Sequence, residues 1–396
     1  MAITFDPQAA TRSLIDGLGA EALAKSEAYT TGNHWLLLWG IVVSAVIAWL
    51  VIKSGVLDKV FAKLESRALW LRTLAVAATY LVVSALISLP WSIYTDWYRE
   101  TQYDRTSQPL GDYLAQGGIG MVISTIIGAL FLLALYALIR RTARLWWAWS
   151  GALVVGFLAF VLLLSPIVIE PLFNDFQPIP EGEVRDAVLA MAEEADIPED
   201  RIFVFDGSRQ SNNFTANVSG IGGSARIAIS DVALGEASLD EVKAVTGHEI
   251  GHYVLGHVWR SVLVLSGTAI LVLFLTAKLY PAAARLFGSK APIDDIRGLP
   301  VLAFVAGALA TLASPITNTL TRVGEAEADA YSLETVGLPD ALAGALIKTA
   351  EYRYPRPGAL EEMIFYTHPS VENRILRAME WKAANLQEAG PSAPAE

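Results

Sequence analysis

Six apolar segments, each long enough to cross a lipid bilayer, constrain the fold of this chain more than any other feature of its sequence. They lie at about 35–52, 73–93, 119–138, 146–168, 262–280 and 299–316. Because the interior of a bilayer offers the backbone no hydrogen-bond partners, we expect each segment to cross it as an α-helix. The composition agrees, since 54% of the residues are hydrophobic and only 17% are charged. The sequence therefore predicts a mainly α-helical, multi-pass integral membrane protein with six transmembrane helices.

The apolar segments separate parts of the chain that have the composition of soluble protein. The predicted parts, in order, are a polar segment at 1–34, four spans at 35–170, a soluble part at 171–258, two spans at 259–318, a second soluble part at 319–385 and a disordered tail at 386–396. Within the first soluble part, charged and apolar residues alternate at helical spacing over 181–196, whereas 201–205 and 226–230 have the pattern of strands. We therefore expect a small α+β domain, completed by the second soluble part.

A short motif in the first soluble part carries the chemistry. His248 and His252 are four residues apart, so on an α-helix they project from the same face and suit two imidazole ligands on one zinc ion. Glu249 follows the first histidine and could act as the general base on a zinc-bound water, as in H-E-x-x-H metallopeptidases. The alternative is a helix that carries two surface histidines and a solvated glutamate.

The residues around the motif favour the metal site. Ser238 and Glu241 have the spacing of a capping box, so a helix that begins near Leu239 would carry the motif through its middle. Three of the five histidines in the chain lie within 248–257. Such clustering is not expected of surface histidines placed at random, and we predict a metal-binding helix.

A catalytic zinc ion usually takes three protein ligands, so a third ligand is expected elsewhere. His257 lies five residues after His252 and would point about 140° away along the same helix, so we interpret it as a structural residue near the helix end. Glu325 is the better candidate, because two membrane crossings return the chain to the face where the motif helix lies. Asp329 shares its helical face and could orient a ligand. The alternative for this stretch is an acidic, solvated helix.

A polar segment at 206–220 is rich in turn-forming residues and ends in a candidate edge strand. An exposed strand edge beside a zinc ion could bind a peptide substrate by backbone pairing. An ordinary polar loop is the alternative, and the sequence favours neither.

These motifs together resemble the CAAX prenyl protease type 1 family of membrane metallopeptidases and its bacterial relatives, which include the HtpX proteases. The H-E-I-G-H motif is followed by R-x-x-E-x-x-A-D-A at 322–330. Three further similarities are P-L-F-N at 171–174, F-V-F-D-G-S at 203–208, and T-H-P at 367–369 with R-I at 374–375. The resemblance extends over roughly 70–380, with the motifs in the same order.

The resemblance implies a zinc endopeptidase whose transmembrane helices enclose a chamber and whose α+β domain is zincin-like. It implies one zinc ion per chain, held by His248, His252 and Glu325. Glu249 would be the base, and Asp329 would support a ligand.

The resemblance also implies how a substrate would be held. His368 and Arg374 are expected beside the scissile carbonyl, where they would stabilise the oxyanion. The substrate-pairing strand of the family typically reads N-A-Y, whereas this chain has Thr215, Ala216 and Asn217 at the matching positions. Backbone pairing is therefore expected there with different side-chain contacts. The eukaryotic members have seven spans, one more than this chain, and the additional span lies between the first two predicted here.

The expected substrates are membrane-associated or prenylated-type proteins and peptides. A quality-control protease of the HtpX type, acting on damaged membrane proteins, is the alternative within the enzyme class. A zinc-binding transporter or scaffold is the non-enzyme alternative, but a transport pathway would need ionisable residues inside the spans, which are nearly free of them. The net charge of −11 argues against nucleic acid as a partner.

Basic residues are concentrated in the short segments on the side away from the motif. They are Lys53, Lys59, Lys63, Arg67, Arg72, Arg140, Arg141, Arg144, Lys278, Arg285, Lys290 and Arg297. By the positive-inside rule these segments are cytoplasmic, and the zinc domain is expected to face outward. The resemblance to the eukaryotic members implies the opposite orientation, with the site facing the cytosol.

Overall fold

A computed structural model describes residues 5–219 and 226–388, which are mainly helical with one small sheet. The helices are α1 (Pro7–Asp16), α2 (Ala20–Ser54), α3 (Val56–Lys63), α4 (Leu69–Ser92), α5 (Arg99–Gln102), α6 (Leu110–Thr142), α7 (Trp146–Leu164), α8 (Glu183–Glu194), α9 (Asp231–Glu236), α10 (Leu239–Val254), α11 (His257–Phe287), α12 (Leu299–Val336), α13 (Pro339–Thr349), α14 (Ala359–Phe365) and α15 (Val371–Glu388). The strands are β1 (Phe176–Pro178), β2 (Ile202–Phe205), β3 (Ala216–Ser219) and β4 (Arg226–Ser230).

The prediction of a multi-pass helical membrane protein is confirmed. The described residues contain five helical stretches that are long and apolar enough to span a membrane: Ala20–Ser54, Leu69–Gln102, Leu110–Leu172, His257–Phe287 and Ile296–Val336. The third contains two predicted spans, because the chain turns at Ala143, where φ is +45°. Phe131 of α6 and Phe157 of α7 then pack with ring centroids 4.7 Å apart, as expected of a helical hairpin. All six predicted segments therefore lie within helices.

The two ends of the chain differ from expectation in detail. The first membrane helix, α2, begins at Ala20, so the second half of the expected polar segment at 1–34 is helical. Helix α1 packs against α15, and Ile15 enters a core that contains Leu342, Ile375 and Met379. Helix α15 continues to Glu388, three residues into the expected tail at 386–396. The rest of that tail lies outside the described residues.

The small α+β domain contains a four-stranded sheet in the order β1-β2-β4-β3. Strand β2 is parallel to β4, whereas β1 and β3 run antiparallel to their neighbours. Both strands expected from the sequence are present, and β3 is the edge strand considered for 206–220. Strand β4 is fully buried, and its Ile227 and Ile229 pack in one core with Val242 and Ile250 of α10. The sheet thus supports the helix that carries the motif.

Two glycines bring the motif helix against α12. A Cβ atom at Gly247 would lie 2.6 Å from Cγ2 of Val336, and one at Gly251 would lie 3.2 Å from Cα of Ala328. Both contacts are tighter than side chains ordinarily make, so glycine permits the close approach. The hydroxyl of Ser332 also donates to the backbone carbonyl of α10 at residue 244, at 2.7 Å. Helix α12 is therefore fixed directly beside the motif.

The length of α12 carries its acidic segment beyond the bilayer. Its 38 residues rise roughly 57 Å at 1.5 Å per residue, nearly twice the hydrocarbon thickness of about 30 Å. The apolar part ends near residue 316, and Glu325 lies nine residues further along the same helix. The carboxylate therefore reaches the motif from a helix anchored in the membrane.

Candidate metal centre and active site

The motif helix begins where the sequence predicts. The Ser238 side chain accepts a hydrogen bond from the backbone N–H of Glu241, whose carboxylate accepts from the backbone N–H of Ser238 at 2.7 Å. Helix α10 starts at Leu239, and the capping box is confirmed. His248 and His252 then lie one helical turn apart, with His248 buried and His252 partly exposed.

Candidate ligand atoms of three residues converge between α10 and α12. The Nε2 atoms of His248 and His252 lie 3.1 Å apart, and Glu325 places Oε2 3.3 Å from the first and Oε1 3.4 Å from the second. A tetrahedral zinc ion about 2.05 Å from each ligand requires ligand atoms about 3.3 Å apart. Among the described residues, Oε2 of Glu325 is buried without a hydrogen-bond partner. Two imidazoles and a carboxylate at this spacing therefore fit a metal ion such as zinc.

Asp329 fixes the orientation of the first histidine. Its Oδ1 lies 2.9 Å from Nδ1 of His248, and because a carboxylate only accepts, the ring donates through Nδ1 and presents Nε2 to Glu325. Arg374 donates to both oxygens of Asp329, at 2.6 and 2.7 Å, and balances its charge. Burial alone lowers the pKa of His248, but the hydrogen bond to Asp329 and the adjacent carboxylate of Glu325 outweigh it and raise the pKa to about 9. A metal ion would therefore displace a proton from His248 at neutral pH.

The second histidine is oriented through a chain of side chains. Nδ1 of His252 lies 2.8 Å from Nδ1 of His257, and Nε2 of His257 lies 2.9 Å from Glu327. Arg260 holds the same glutamate at 2.7 Å. Because the carboxylate of Glu327 accepts, a neutral His257 donates to it through Nε2 and accepts from His252 at Nδ1. Nε2 of His252 is thereby left as the candidate ligand atom.

The position of His257 differs from the expectation that it continues the motif helix. Helix α10 ends at Val254, and Gly256 adopts φ +67°, so His257 begins α11 in a new direction. Its ring turns back onto His252 instead of pointing about 140° away. His257 is not one of the three converging ligands, but it contacts one of them.

Glu249 and His368 lie at the same site. Both line a pocket of about 370 Å³ that also contains the three candidate ligands. Nε2 of His368 lies 3.2 Å from Oε1 of Glu325, and its Nδ1 lies 2.9 Å from the hydroxyl of Thr367. Burial, followed by the positive charge of Arg353, lowers the pKa of His368 to about 3. The ring is therefore neutral at pH 7 and retains one N–H donor in the pocket.

The edge strand forms one side of the pocket. Thr215 and Ala216 are among its lining residues, whereas Asn217 is not. Asn217 is paired with Ala228 in the sheet, and its Oδ1 is a buried atom without a hydrogen-bond partner in the described ranges. Of the three positions expected to hold a substrate, two thus face the site.

Another part of the pocket lining was not expected from the sequence. It consists of Leu342, Ala345 and Leu346 on α13, followed by Tyr352 and Arg353 in the loop after that helix. No local motif marks these residues. Only the packing of α13 against α10 and α15 brings them to the site.

Two family descriptions match nearly the whole chain. "Peptidase family M48" matches residues 178–382, and "CAAX prenyl protease N-terminal, five membrane helices" matches residues 7–175. The first match covers just over half of the chain and includes both histidines, Glu249 and Glu325.

Individual proteins are similar over comparable lengths. An uncharacterized metalloprotease of Bacillus subtilis, YhfN, is 28% identical over 90% of this chain and 85% of its own length. The CAAX prenyl protease 1 homologues of Oryza sativa and Homo sapiens are 27% and 26% identical, covering 83% and 74% of this chain and 78% and 70% of theirs.

A solved structure shows the same fold. The crystal structure of S. mikatae Ste24p superposes with a TM-score of 0.74 at 22% identity, covering 93% of this chain and 90% of that one. The helical membrane architecture, the converging histidine and glutamate side chains, and the family matches all indicate a membrane metalloendopeptidase. The chain belongs to peptidase family M48.

Proposed function

We propose that this metallopeptidase binds one zinc ion through His248, His252 and Glu325 and cleaves peptide bonds in membrane-associated substrates. The observation that carries the proposal is the convergence of two imidazole nitrogens and the Glu325 carboxylate, with neighbouring donor atoms 3.1–3.4 Å apart, beside a pocket that contains Glu249. Zinc bound there would supply a Lewis acid and a water molecule of lowered pKa. The family matches do not favour a transporter or scaffold.

The protein side chains would carry the proton transfers and hold the developing charge. Glu249 accepts the proton of the attacking water and returns it to the leaving amine. His368 and Arg374 donate to the oxyanion, since both line the pocket and His368 retains an N–H donor. Arg374 has a second role through its bonds to Asp329, which supports the proposed ligand His248.

The substrate would be held in an extended form along β3. This strand is last in the sheet order, so one of its edges is unpaired by the other described strands. A peptide that adds to this edge runs past the pocket at Thr215 and Ala216, and the recognition is mainly through its backbone.

Two features support membrane-associated substrates. Several relatives are named CAAX prenyl proteases, which supports prenylated-type proteins as substrates here. An apolar cavity of about 760 Å³ lies among α4, α6, α7, α11 and α12, where it could hold an apolar group. Quality control of unmodified membrane proteins is the second candidate, because backbone pairing and an apolar cavity also suit it, but the named relatives do not favour it.

The decisive experiment is a cleavage assay on the purified protein in detergent, with a farnesylated peptide and an unmodified membrane-protein fragment. We expect the wild type to cleave at least one of them. Glu249→Gln should retain stoichiometric metal and lose at least about 100-fold in kcat, because the general base is absent. The metal content of both proteins is measured in parallel.

The outcome also separates the competing functions. Cleavage of the farnesylated peptide alone supports the prenylated class, and cleavage of the unmodified fragment alone supports quality control. If both proteins bind metal and neither substrate is cleaved, the peptidase proposal is wrong for these substrate classes.

We further propose that the site faces away from the cytoplasm. The basic segments meet at the opposite end of the helices, where Nε of Arg140 donates to the backbone carbonyl of Asp294 at 3.1 Å and Arg297 pairs with Asp58 at 3.2 Å. Short basic segments of this kind are retained in the cytoplasm. A C-terminal fusion to a phosphatase that is active only outside the cytoplasm should be active. An inactive phosphatase together with a fluorescent cytoplasmic reporter would contradict this orientation.

A further inference from the structure

The short helix α14 turns apolar side chains outward and acidic side chains inward. Leu360 and Met363 lie one turn apart and are 65% and 50% exposed. By contrast, the carboxylate of Glu361 lies 3.4 Å from Nδ1 of His34 on α2, and that of Glu362 accepts a hydrogen bond from an asparagine side chain of α15 at 3.2 Å. A helix that packs on a protein and faces water has the opposite arrangement. The outward face of α14 is therefore suited to an apolar environment.

Two hydrogen bonds attach α14 to α12 just beyond the membrane-spanning part of that helix. Nδ2 of Asn318 donates to the backbone carbonyl of Ile364 at 2.8 Å, and Nη1 of Arg322 donates to that of Glu362 at 2.9 Å. Because the apolar part of α12 ends near residue 316, these donors lie roughly 3 and 9 Å further along the helix axis. The headgroup layer on each side of a bilayer is about 5–8 Å thick. Helix α14 therefore lies at the level of the headgroups.

The first membrane helix, α2, gives the same level independently. The ring of Phe365 at the end of α14 stacks on the ring of His34, with centroids 4.2 Å apart. His34 directly precedes the first apolar segment of the chain, and Trp35 at the start of that segment is 59% exposed. Exposed tryptophans at span ends are typical of the interface between lipid and water. Two membrane helices thus place α14 at this interface.

The lipid surface is the partner that fits this face. Apolar side chains are also exposed on both neighbouring helices near the ends of their spans, namely Leu312 and Ile316 on α12 and Trp39 on α2. The outward face of α14 therefore lies at the edge of a surface that is already in the bilayer. Helix α14 contains no lysine or arginine, so its contact with lipid depends on apolar area and not on anionic headgroups.

We propose that α14 is an interfacial membrane anchor, which inserts Leu360 and Met363 into the boundary between headgroups and acyl chains on the side of the metal centre. The anchor lies between two residues that line the pocket, since Arg353 precedes α14 and His368 follows it. Contact with the lipid surface holds this part of the pocket lining at a fixed depth. The anchor is a property of the folded protein in a membrane and does not require the proposed peptidase function.

The test measures the depth of α14 in a bilayer with a spin label. The chain contains no cysteine, so Met363→Cys provides a single labelling position in the full-length protein. The labelled protein is reconstituted into phosphatidylcholine vesicles, and collisions of the label with oxygen, which concentrates in lipid, are compared with collisions with a water-soluble nickel chelate. We expect the nickel-to-oxygen collision ratio to be about 10-fold lower than at a water-exposed position, because an interfacial helix buries its apolar face about 5–10 Å into the headgroup and acyl boundary.

Matched positions calibrate the measurement. A label at Leu312→Cys, on the apolar part of α12, gives the ratio for lipid, and a label at Glu193→Cys, on the exposed surface of α8, gives the ratio for water. Leu360→Asp, introduced together with Met363→Cys, should return the label to water, because a charge is costly in the apolar boundary. Leu386→Asp changes an exposed apolar residue at the end of α15 and should leave the label at its original depth.

Each outcome supports or overturns the anchor. A ratio at Met363→Cys that equals the ratio at Glu193→Cys overturns it, because the face then lies in water. A label that neither reagent reaches also overturns it, since protein, such as a second copy of this chain, would then cover the face. An unchanged depth in Leu360→Asp shows that the apolar pair does not hold the helix in lipid. The label at Met363→Cys decides the question even if Leu360→Asp does not fold, and no outcome depends on peptide cleavage.

Discussion

At the scale of single residues, the site depends on which ring nitrogen of each histidine is turned toward the metal position. Asp329 settles this for His248 by direct contact, whereas His252 depends on a second histidine and, through it, on Glu327. Groups behind metal ligands commonly change metal affinity without touching the ion. The two histidines are therefore supported by different means, and the second support can be tested separately.

Replacing His257 with phenylalanine keeps an aromatic ring but removes both hydrogen bonds of the chain. We expect the dissociation constant for zinc to rise about 10- to 100-fold, because His252 loses the acceptor that fixes its ring. Competition with a chromophoric chelator measures this directly. Glu327→Gln is the matched control, since its amide oxygen still accepts from His257, and it should have the smaller effect. An unchanged affinity in His257→Phe would show that the contact has no role in metal binding.

At the scale of elements, the start of α10 links pH to stability. Burial raises the pKa of Glu241, but its bonds to the Ser238 backbone and to Lys348 outweigh this and hold the pKa below its usual range. A carboxylate with a lowered pKa in the folded state stabilises the fold above its ordinary pKa, and this contribution is lost as the pH falls through the folded value. The helix that carries both histidines should therefore loosen in acid.

Glu241→Gln should lower the thermal unfolding midpoint in detergent at pH 7, with a loss of about 0.5–2 kcal/mol as for other helix caps. Between pH 5 and pH 3 the unfolding midpoint of the variant should fall less steeply than that of the wild type, because the variant lacks the titrating carboxylate of Glu241. Asp240→Asn, one position earlier on the exposed side, provides the comparison. A variant whose midpoint falls with acid as steeply as that of the wild type would rule out Glu241 as a source of the pH dependence.

The elements also explain which features could be predicted from the sequence. The spans and the capping box depend on local composition and spacing, and both were predicted. The convergence of Glu325 with the histidines is predictable because two membrane crossings separate them. Two crossings return the chain to the same membrane face, whatever the detailed packing of the helices. By contrast, the break at Gly256 depends on one backbone conformation. A continuous helix would point His257 away from His252, so the sequence alone gives the wrong position for its ring. Arg353 follows no motif, because α13 reaches the pocket only through tertiary packing.

At the scale of the whole molecule, the candidate ligands come from both ends of a membrane hairpin. His252 lies just before α11, and Glu325 lies on α12 after the chain has crossed and returned, 73 positions later by subtraction (325 − 252). Soluble metallopeptidase sites need no such crossing. Here the membrane helices and the catalytic domain are assembled around the same three side chains.

Chelation should therefore destabilise the membrane helices as well as the catalytic domain. We expect the thermal unfolding midpoint in detergent to fall on addition of a strong chelator, because an ion that binds only the folded protein stabilises it. Protease sensitivity of the junction between α10 and α11, which adjoins the candidate ligand His252, should increase at the same time. Glu325→Ala should begin with a low midpoint and show little further change on chelation. A wild-type midpoint that is indifferent to chelator would contradict the coupling.

The split origin of the ligands gives the ion the role of a removable cross-link. This chain contains no cysteine, and so no disulfide can join its distant segments. A covalent cross-link that closes a loop of 73 residues would be worth about 4 kcal/mol by loop-closure entropy, and a bound ion joins the same two points reversibly. Loss of the ion would free the segment before α11 from α12 at the membrane surface, and the backbone there would become easier for proteases to reach. Loss of the ion would therefore inactivate the enzyme and make it susceptible to proteolysis at the same time.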